Sequence, residues 1–417
     1  MRSVDELRSR LLDRIDAFTG SGPGHRVTTP QVDGPKTGIA IVGCGFVADF
    51  YSENLPLHPD LRLIGCTDLQ RERAERFAAR NRCKVCASLD HLLADPDVEI
   101  VVNLTNPSSH AAVSRFALEA GKHVYTEKPL ASDVESAREL VELARSRGLL
   151  LSSAPCSVLG DSAVAMRAAV RRGDIGRVRL AYAELDDGPI HLMHPDEWAS
   201  PAGTPWPWRD EFAVGCTLEH ASYHLTWLVA LFGSVERVTA FSRTVVPVKH
   251  PDLPSELCGP DFSTAAILFE CGLVARLTCS VVAPHNHSLR LVGDDEVLEV
   301  DEAWHFGAPL TVRRFGALEL RAETYPWLVR HAWTRGLFGA VRRRSDLSPK
   351  RDWRSRLRRH EMDYALGVAE LAAALREKRP SRLSAELALH VTEISHAIAS
   401  AGEEGATTEI KSRCSPF

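Results

Sequence analysis

The chain reads as two domains: a doubly wound α/β domain over residues 37–154 and an α+β domain with an open, mostly antiparallel sheet over residues 155–417, preceded by a helix and linker over residues 1–36. Three observations predict this. Apolar runs at 38–43, 61–67, 99–104, 122–126 and 149–153 alternate with helical stretches at 69–80, 107–120 and 132–147, the pattern of parallel strands joined by right-handed crossover helices. After Pro155, strand-like runs at 235–246, 263–270, 273–283, 287–292 and 296–300 follow one another with few helices between them, which is the antiparallel pattern. Finally, 417 residues exceed what one hydrophobic core usually holds.

Taken in order, Val4, Leu7, Leu11, Leu12, Ile15 and Phe18 recur at helical spacing and predict an amphipathic helix over 3–18, followed by a Gly-, Pro- and Ser-rich linker to Pro35. The first strand runs into Gly43-Cys44-Gly45-Phe46-Val47-Ala48. Gly43 permits a tight turn, Gly45 lets the backbone approach a pyrophosphate, and the helix beginning at Phe46 and Val47 directs its N-terminus at that anion. Asp68 ends the second strand, about 20 residues on, where a carboxylate accepts from a ribose hydroxyl. Its charge repels a 2'-phosphate, so NAD is expected to bind in preference to NADP, with Arg71 or Arg73 able to reach round toward that phosphate. Asn106-Pro107 and Ser132-Asp133 supply helix starts, and Gly121 and Gly148 supply stops. In the second domain, helices are expected over 161–172, 217–232, 358–377 and 383–401.

Composition narrows the function. With 44% hydrophobic residues, 25% charged residues and a formal net charge of −5, the chain is an ordinary globular protein with no general affinity for nucleic acid, and its partner is expected to be a small molecule. No window holds the 18 or more apolar residues of a membrane span. Asp5, Glu6, Asp13 and Asp16 interrupt any secretory signal, so a cytoplasmic location is expected. Of the ten cysteines only Cys83 and Cys86 are closely spaced, and no second pair completes a zinc site around them. Asp186, Asp187 and nearby histidines match no metal-site spacing, so no metal is expected.

The run Val101-Val-Asn-Leu-Thr105-Asn106-Pro107-Ser-Ser-His110, followed by Glu127-Lys128-Pro129-Leu130, resembles the glucose-fructose oxidoreductase, inositol dehydrogenase and MocA (Gfo/Idh/MocA) family. The resemblance extends from about residue 37 to the segment Pro380-Ser-Arg382-Leu-Ser-Ala-Glu386 before the last helix. It implies an NAD(P)-dependent oxidoreductase acting on a carbohydrate-like alcohol or ketone, such as a sugar, nucleotide sugar or cyclitol. Thr105, Asn106, Pro107, His110, Glu127 and Lys128 would line the cofactor, and Lys128 would sit beside the nicotinamide and polarise the reacting oxygen. The bond before Pro129 would be cis. A dimer or tetramer is the implied assembly.

A second family motif is a helix carrying an aspartate and, four residues on, a histidine. Aligned on Gly215-Cys-Thr-Leu-Glu219-His220-Ala-Ser-Tyr-His224, it places His224 on the histidine and His220 on the aspartate. Positions i and i+4 share a helix face, so both imidazoles are expected in one pocket. A second histidine repels a proton on the first, unlike an aspartate, so the proton relay is expected to be rearranged. Glu219, about 100° round the helix from His220, is the secondary acid–base candidate. That departure keeps two other readings open: a lyase or glycosidase that retains NAD and oxidises transiently, and a non-catalytic nucleotide-binding sensor. The loop His191 to Asp210 carries Trp198, Trp206 and Trp208, flat faces suited equally to a sugar ring or to anchoring the loop, and eleven Lys or Arg residues from Arg330 to His360 read as a solvated excursion, with contact to a phosphorylated substrate or an anionic membrane surface as the alternative.

Overall fold

The computed structural model describes residues 36–314, 325, 341–343 and 362–417. The expected N-terminal helix, nearly all of its linker and most of the Arg-rich segment lie outside these residues.

The first sheet comprises β1 (Thr37–Val42), β2 (Leu61–Thr67), β3 (Lys84–Val85), β4 (Ile100–Asn103), β5 (His123–Thr126) and β6 (Leu151–Ser153), all parallel, in the order β3-β2-β1-β4-β5-β6. Alternate side chains serve opposite faces: Ile39 and Ile41 join one cluster, Ala40 and Val42 the other. Helices α1 (Phe46–Asn54) and α2 (Arg71–Asn81) cover the first face. The second is covered by α3 (Leu89–Ala94), which the sequence reading omitted, α4 (Pro107–Glu119) and α5 (Val134–Ser146). Burying residues such as Leu118 and Leu140 contributes about 1.5–3 kcal/mol each. Strand order reverses between β1 and β4, which opens a crevice at their carboxyl ends.

The second domain contains α6 (Asp161–Arg172), β7 (Leu180–Asp186), α7 (Trp208–Val214), α8 (Cys216–Phe232), β8 (Val235–Arg243), β9 (Phe262–Phe269), β10 (Val274–Ser280), β11 (Leu289–Val292), β12 (Glu296–Val300), β13 (Leu310–Arg314), β14 (Val341–Arg343), α9 (Leu366–Glu377), α10 (Ala385–Ala399) and β15 (Ala406–Glu409). Its sheet runs β14-β13-β12-β11-β7-β10-β9-β8-β15, antiparallel except for the central pair β7 and β10. The sequence reading missed β7 because its inward positions are Ala181, Ala183 and Leu185, small residues that carry little strand signal. Helices α8 and α10 pack on one face of this sheet.

The last segment does not stay in its own domain. Gly367 in α9 packs against Tyr125 of β5, where an added Cβ would stand 2.3 Å from the phenol oxygen, and Asp363 accepts from His58 at 2.9 Å. The chain therefore returns to cover the nucleotide sheet, so α9, though late in sequence, belongs to the packing of the first domain.

Candidate functional site

The crevice at the switch point is built by glycine. Gly43 takes φ +92°, a conformation L side chains rarely adopt, and a Cβ there would meet the Leu104 carbonyl oxygen at 2.6 Å. A Cβ on Gly45 would meet no protein atom within 4 Å, so the turn is open on the ligand side. Gly45 provides no side-chain cap for α1, leaving the first amides at Phe46 and Val47 directed at an anion. The Asp68 carboxylate accepts from the backbone amides of Cys44 and Gln70, both at 2.7 Å, which pins it beside the turn. These features fit a dinucleotide, whose pyrophosphate Gly43 to Val47 would hold and whose ribose Asp68 would meet.

Across the crevice, Asn106 occupies the N-cap position of α4 without capping it; its amide instead donates to Asp210 of α7 at 3.0 Å. Asp133 does cap α5, accepting from Ser136 N at 2.8 Å. Thr105 donates to Asn103 at 2.7 Å, and Pro107 opens α4. His110 is buried, with its two ring nitrogens on the carbonyls of Pro129 (2.7 Å) and Thr105 (2.9 Å). It ties the loop after β4 to the cis Lys128-Pro129 bond from behind. Glu127 accepts from Tyr51 at 2.7 Å and from the Lys128 amide at 3.1 Å, so it holds the backbone that presents Lys128. The Tyr51 contact spans α1 and β5 and had no sequence signal.

Lys128 Nζ lies 2.6 Å from Glu219 Oε2 on α8, and both side chains are largely buried. Burial alone would push the ammonium down, but Glu219, Tyr223, Glu211 and Glu127 together hold its pKa well above the ordinary value. Burial likewise opposes ionisation of Glu219, yet Lys128 and hydrogen bonds from its neighbours lower it. Glu211, half-buried beside Glu219, is pushed well above the usual carboxylate range by desolvation and by the Glu219 charge.

Of the α8 residues named from the sequence, Glu219 meets Lys128 directly, His220 stands near enough to feel its charge, and His224 lies deeper in the interior. Glu219 and Tyr223, also i and i+4, act electrostatically on Lys128, whereas His220 lies beside it, Nε2 at 3.5 Å from Asp187 Oδ2. Burial, and then the charge of Lys128, lowers the His220 pKa. His224 is 1% exposed with neither ring nitrogen hydrogen-bonded; burial, followed by the charge on His287, pushes it down to about 4. Sequence reasoning missed Tyr223, whose signal was its position four residues after Glu219. Trp304 packs at a tilt, its ring centroid 4.3 Å from that of Tyr223 and 4.6 Å from that of His287, giving this wall an aromatic surface.

The polar-aromatic loop bridges the domains. Trp198 and Trp206 pack at 4.9 Å, and Ser200 and Thr204 both donate to Asp49, a buried residue of α1, Thr204 at 2.9 Å.

A parallel sheet with a glycine crevice at its switch point, and a buried lysine–carboxylate pair supplied across the domain boundary, define an NAD(P)-dependent oxidoreductase. Residues 37–154 match the family model described as an oxidoreductase family NAD-binding Rossmann fold, and residues 163–299 match the GFO/IDH/MocA C-terminal domain. The chain belongs to the Gfo/Idh/MocA oxidoreductases. It is 26% identical over 270 residues to the trans-1,2-dihydrobenzene-1,2-diol dehydrogenase of Bos taurus (63% of this chain, 74% of the relative). To the enzyme of the same name from Macaca fuscata fuscata it is 30% identical over 259 residues (61% and 71%). The WlbA dehydrogenase of Bordetella pertussis, solved with NADH and UDP-GlcNAcA, shares the fold with a TM-score of 0.66 at 17% identity, covering 92% of this chain and 99% of that one. Among the described residues no helix is long and apolar enough to cross a membrane.

Proposed function

We propose that the enzyme oxidises a secondary alcohol of a carbohydrate-like ring or cyclic vicinal diol, or reduces the matching ketone, with Lys128 and Tyr223 as the groups that meet the reacting oxygen. The observation that carries this reading is the buried Lys128–Glu219 pair at 2.6 Å after β5, with Tyr223 one helical turn on from Glu219 and near enough to act on the Lys128 charge. When bound, nicotinamide supplies or accepts the hydride. The Lys128 ammonium stabilises negative charge developing on the oxygen, and Glu219 keeps that ammonium charged and aimed. Burial holds the Tyr223 phenol well above its ordinary value despite the opposing charge of Lys128, so in this reading it acts as a hydrogen-bond and proton donor to the reacting oxygen. His220, held against Asp187, is the second proton carrier, and His224 supports the helix from within.

The diol chemistry named for the curated relatives and the aromatic wall at Trp304 and Tyr223 both support a ring substrate. NAD is the preferred cofactor in this reading because Asp68 faces the ribose. All ten cysteines are free, which accords with a reducing, cytoplasmic setting. Self-association is placed on the outer face of the second sheet, where Tyr182, Arg276 and Arg290 stand half-buried or exposed. Incubation with NAD and a panel of cyclic diols, sugars and nucleotide sugars, followed by nicotinamide absorbance and product mass, tests the assignment. Net reduction of NAD with loss of two hydrogens from a substrate supports it. Product formation without net change in nicotinamide, the signature of transient oxidation, overturns it.

A further inference from the structure

On the Asp187 side of the cleft stands a second group of donors that shares only Asp187 with the proposed hydride chemistry. Asp187 follows β7, His285 and His287 lie between β10 and β11, and Glu302 follows β12. One nitrogen of each histidine and one carboxylate oxygen of Asp187 all lie within 4.8 Å of one another. Glu302 accepts from both imidazoles, Oε1 at 3.0 Å from His287 Nδ1 and Oε2 at 2.8 Å from His285 Nε2. With Nδ1 engaged, His287 turns Nε2 to Asp187 Oδ1 at 3.4 Å, an ion-pair distance outside good hydrogen-bond geometry, in a side chain 2% exposed. A buried imidazole set between two carboxylates, one fixing Nδ1 and the other facing Nε2 beside a second histidine, has the outer-shell arrangement that orients a histidine toward a metal ion, which would displace the proton shared with Asp187.

From this geometry we infer a binding site for a divalent transition-metal ion of the zinc class, with Asp187, His285 and His287 as ligands and Glu302 orienting both histidines. Two imidazoles and one carboxylate suit zinc, cobalt or nickel, whereas magnesium and calcium call for oxygen donors. His285, with 57% of its side chain exposed, leaves a route of entry from solvent. Three protein ligands leave a coordination position for water or for a substrate oxygen. Trp304, in contact with both His287 and Tyr223, sets this position one ring away from the proposed proton-exchanging phenol. Asp187 would serve both centres, Oδ1 toward the ion and Oδ2 toward His220. The inference is independent of the reaction assigned to Lys128.

The test is calorimetric titration of the chelator-stripped full-length protein with zinc alone, repeated with cobalt while following its visible absorption. The expected result is saturable binding with a micromolar or tighter Kd. His285→Ala, at an exposed position, and Asp187→Asn should each weaken it at least about tenfold, and Glu302→Gln about 10–100-fold. Circular dichroism confirms that each variant is folded. Absence of saturable binding below about 1 mM, a free energy near −4 kcal/mol, overturns the site, as does binding indifferent to both His285→Ala and Asp187→Asn.

Discussion

The ammonium of Lys128, carried by the loop after β5, lies 2.6 Å from the carboxylate of Glu219, carried by α8, so the two domains meet through a buried ion pair. Removing one partner of such a pair leaves an uncompensated charge, which typically costs about 3–5 kcal/mol. Glu219→Ala should therefore lower the unfolding free energy by about that amount in urea titration, and Lys128→Met/Glu219→Leu should recover most of it. A single variant as stable as the wild type would mean that water solvates the pair.

Tyr223 and the two histidines of α8 make distinct predictions. Tyr223→Phe removes only the phenolic oxygen and should reduce kcat by about 10²–10⁴ at unchanged NAD affinity, as expected for a proton-transfer group. His224→Ala should act on stability more than on kcat, because the ring is sealed in the interior. Steady-state kinetics of the two variants decide between the faces of the helix; a fully active Tyr223→Phe enzyme assigns the proton elsewhere.

Cofactor choice rests on Asp68. Its carboxylate is fixed by two backbone amides and cannot swing away from a 2'-phosphate without losing them. NAD should bind about tenfold or more tightly than NADP, roughly 1.4 kcal/mol by calorimetry, and Asp68→Ala should narrow the gap. A preference for NADP would place the neutralising charge on Arg71 or Arg73.

Stability in acid should fall through buried neutral histidine. His390 accepts from Val235 N at 2.9 Å through Nε2, and burial pushes its pKa down to about 4. The unfolded chain, with an ordinary value near 6.5, then takes up the proton first. The contribution is fully present above about pH 6.5 and is lost as pH falls toward 4, amounting to about 3 kcal/mol at its limit. His390→Gln should flatten the decline in unfolding free energy over that window; an unchanged slope would show that other groups govern it.

The nucleotide half was legible because its chemistry is local: Gly43, Gly45 and Asp68 sit at fixed distances along one strand–turn–helix unit, and Glu127-Lys128-Pro129 is contiguous. The helix opposite was legible as a helix but not in its facing. His220 and His224 drew attention as residue types, yet it is Glu219 that meets Lys128 directly, and only the packing of α8 against the sheet sets which of its residues does so. The Asp187, His285, His287 and Glu302 group spans more than a hundred residues and is assembled by the pairing of β7 with β10 and β11, which no sequence spacing encodes.

The most direct test is single-turnover hydride transfer by Lys128→Met, with NADH affinity measured by fluorescence on the same preparation. The predicted result is transfer slowed by about 10²–10³ at a dissociation constant close to that of the wild type, since the cofactor contacts lie at Gly43 to Val47 and Asp68. Wild-type transfer by Lys128→Met would contradict the account.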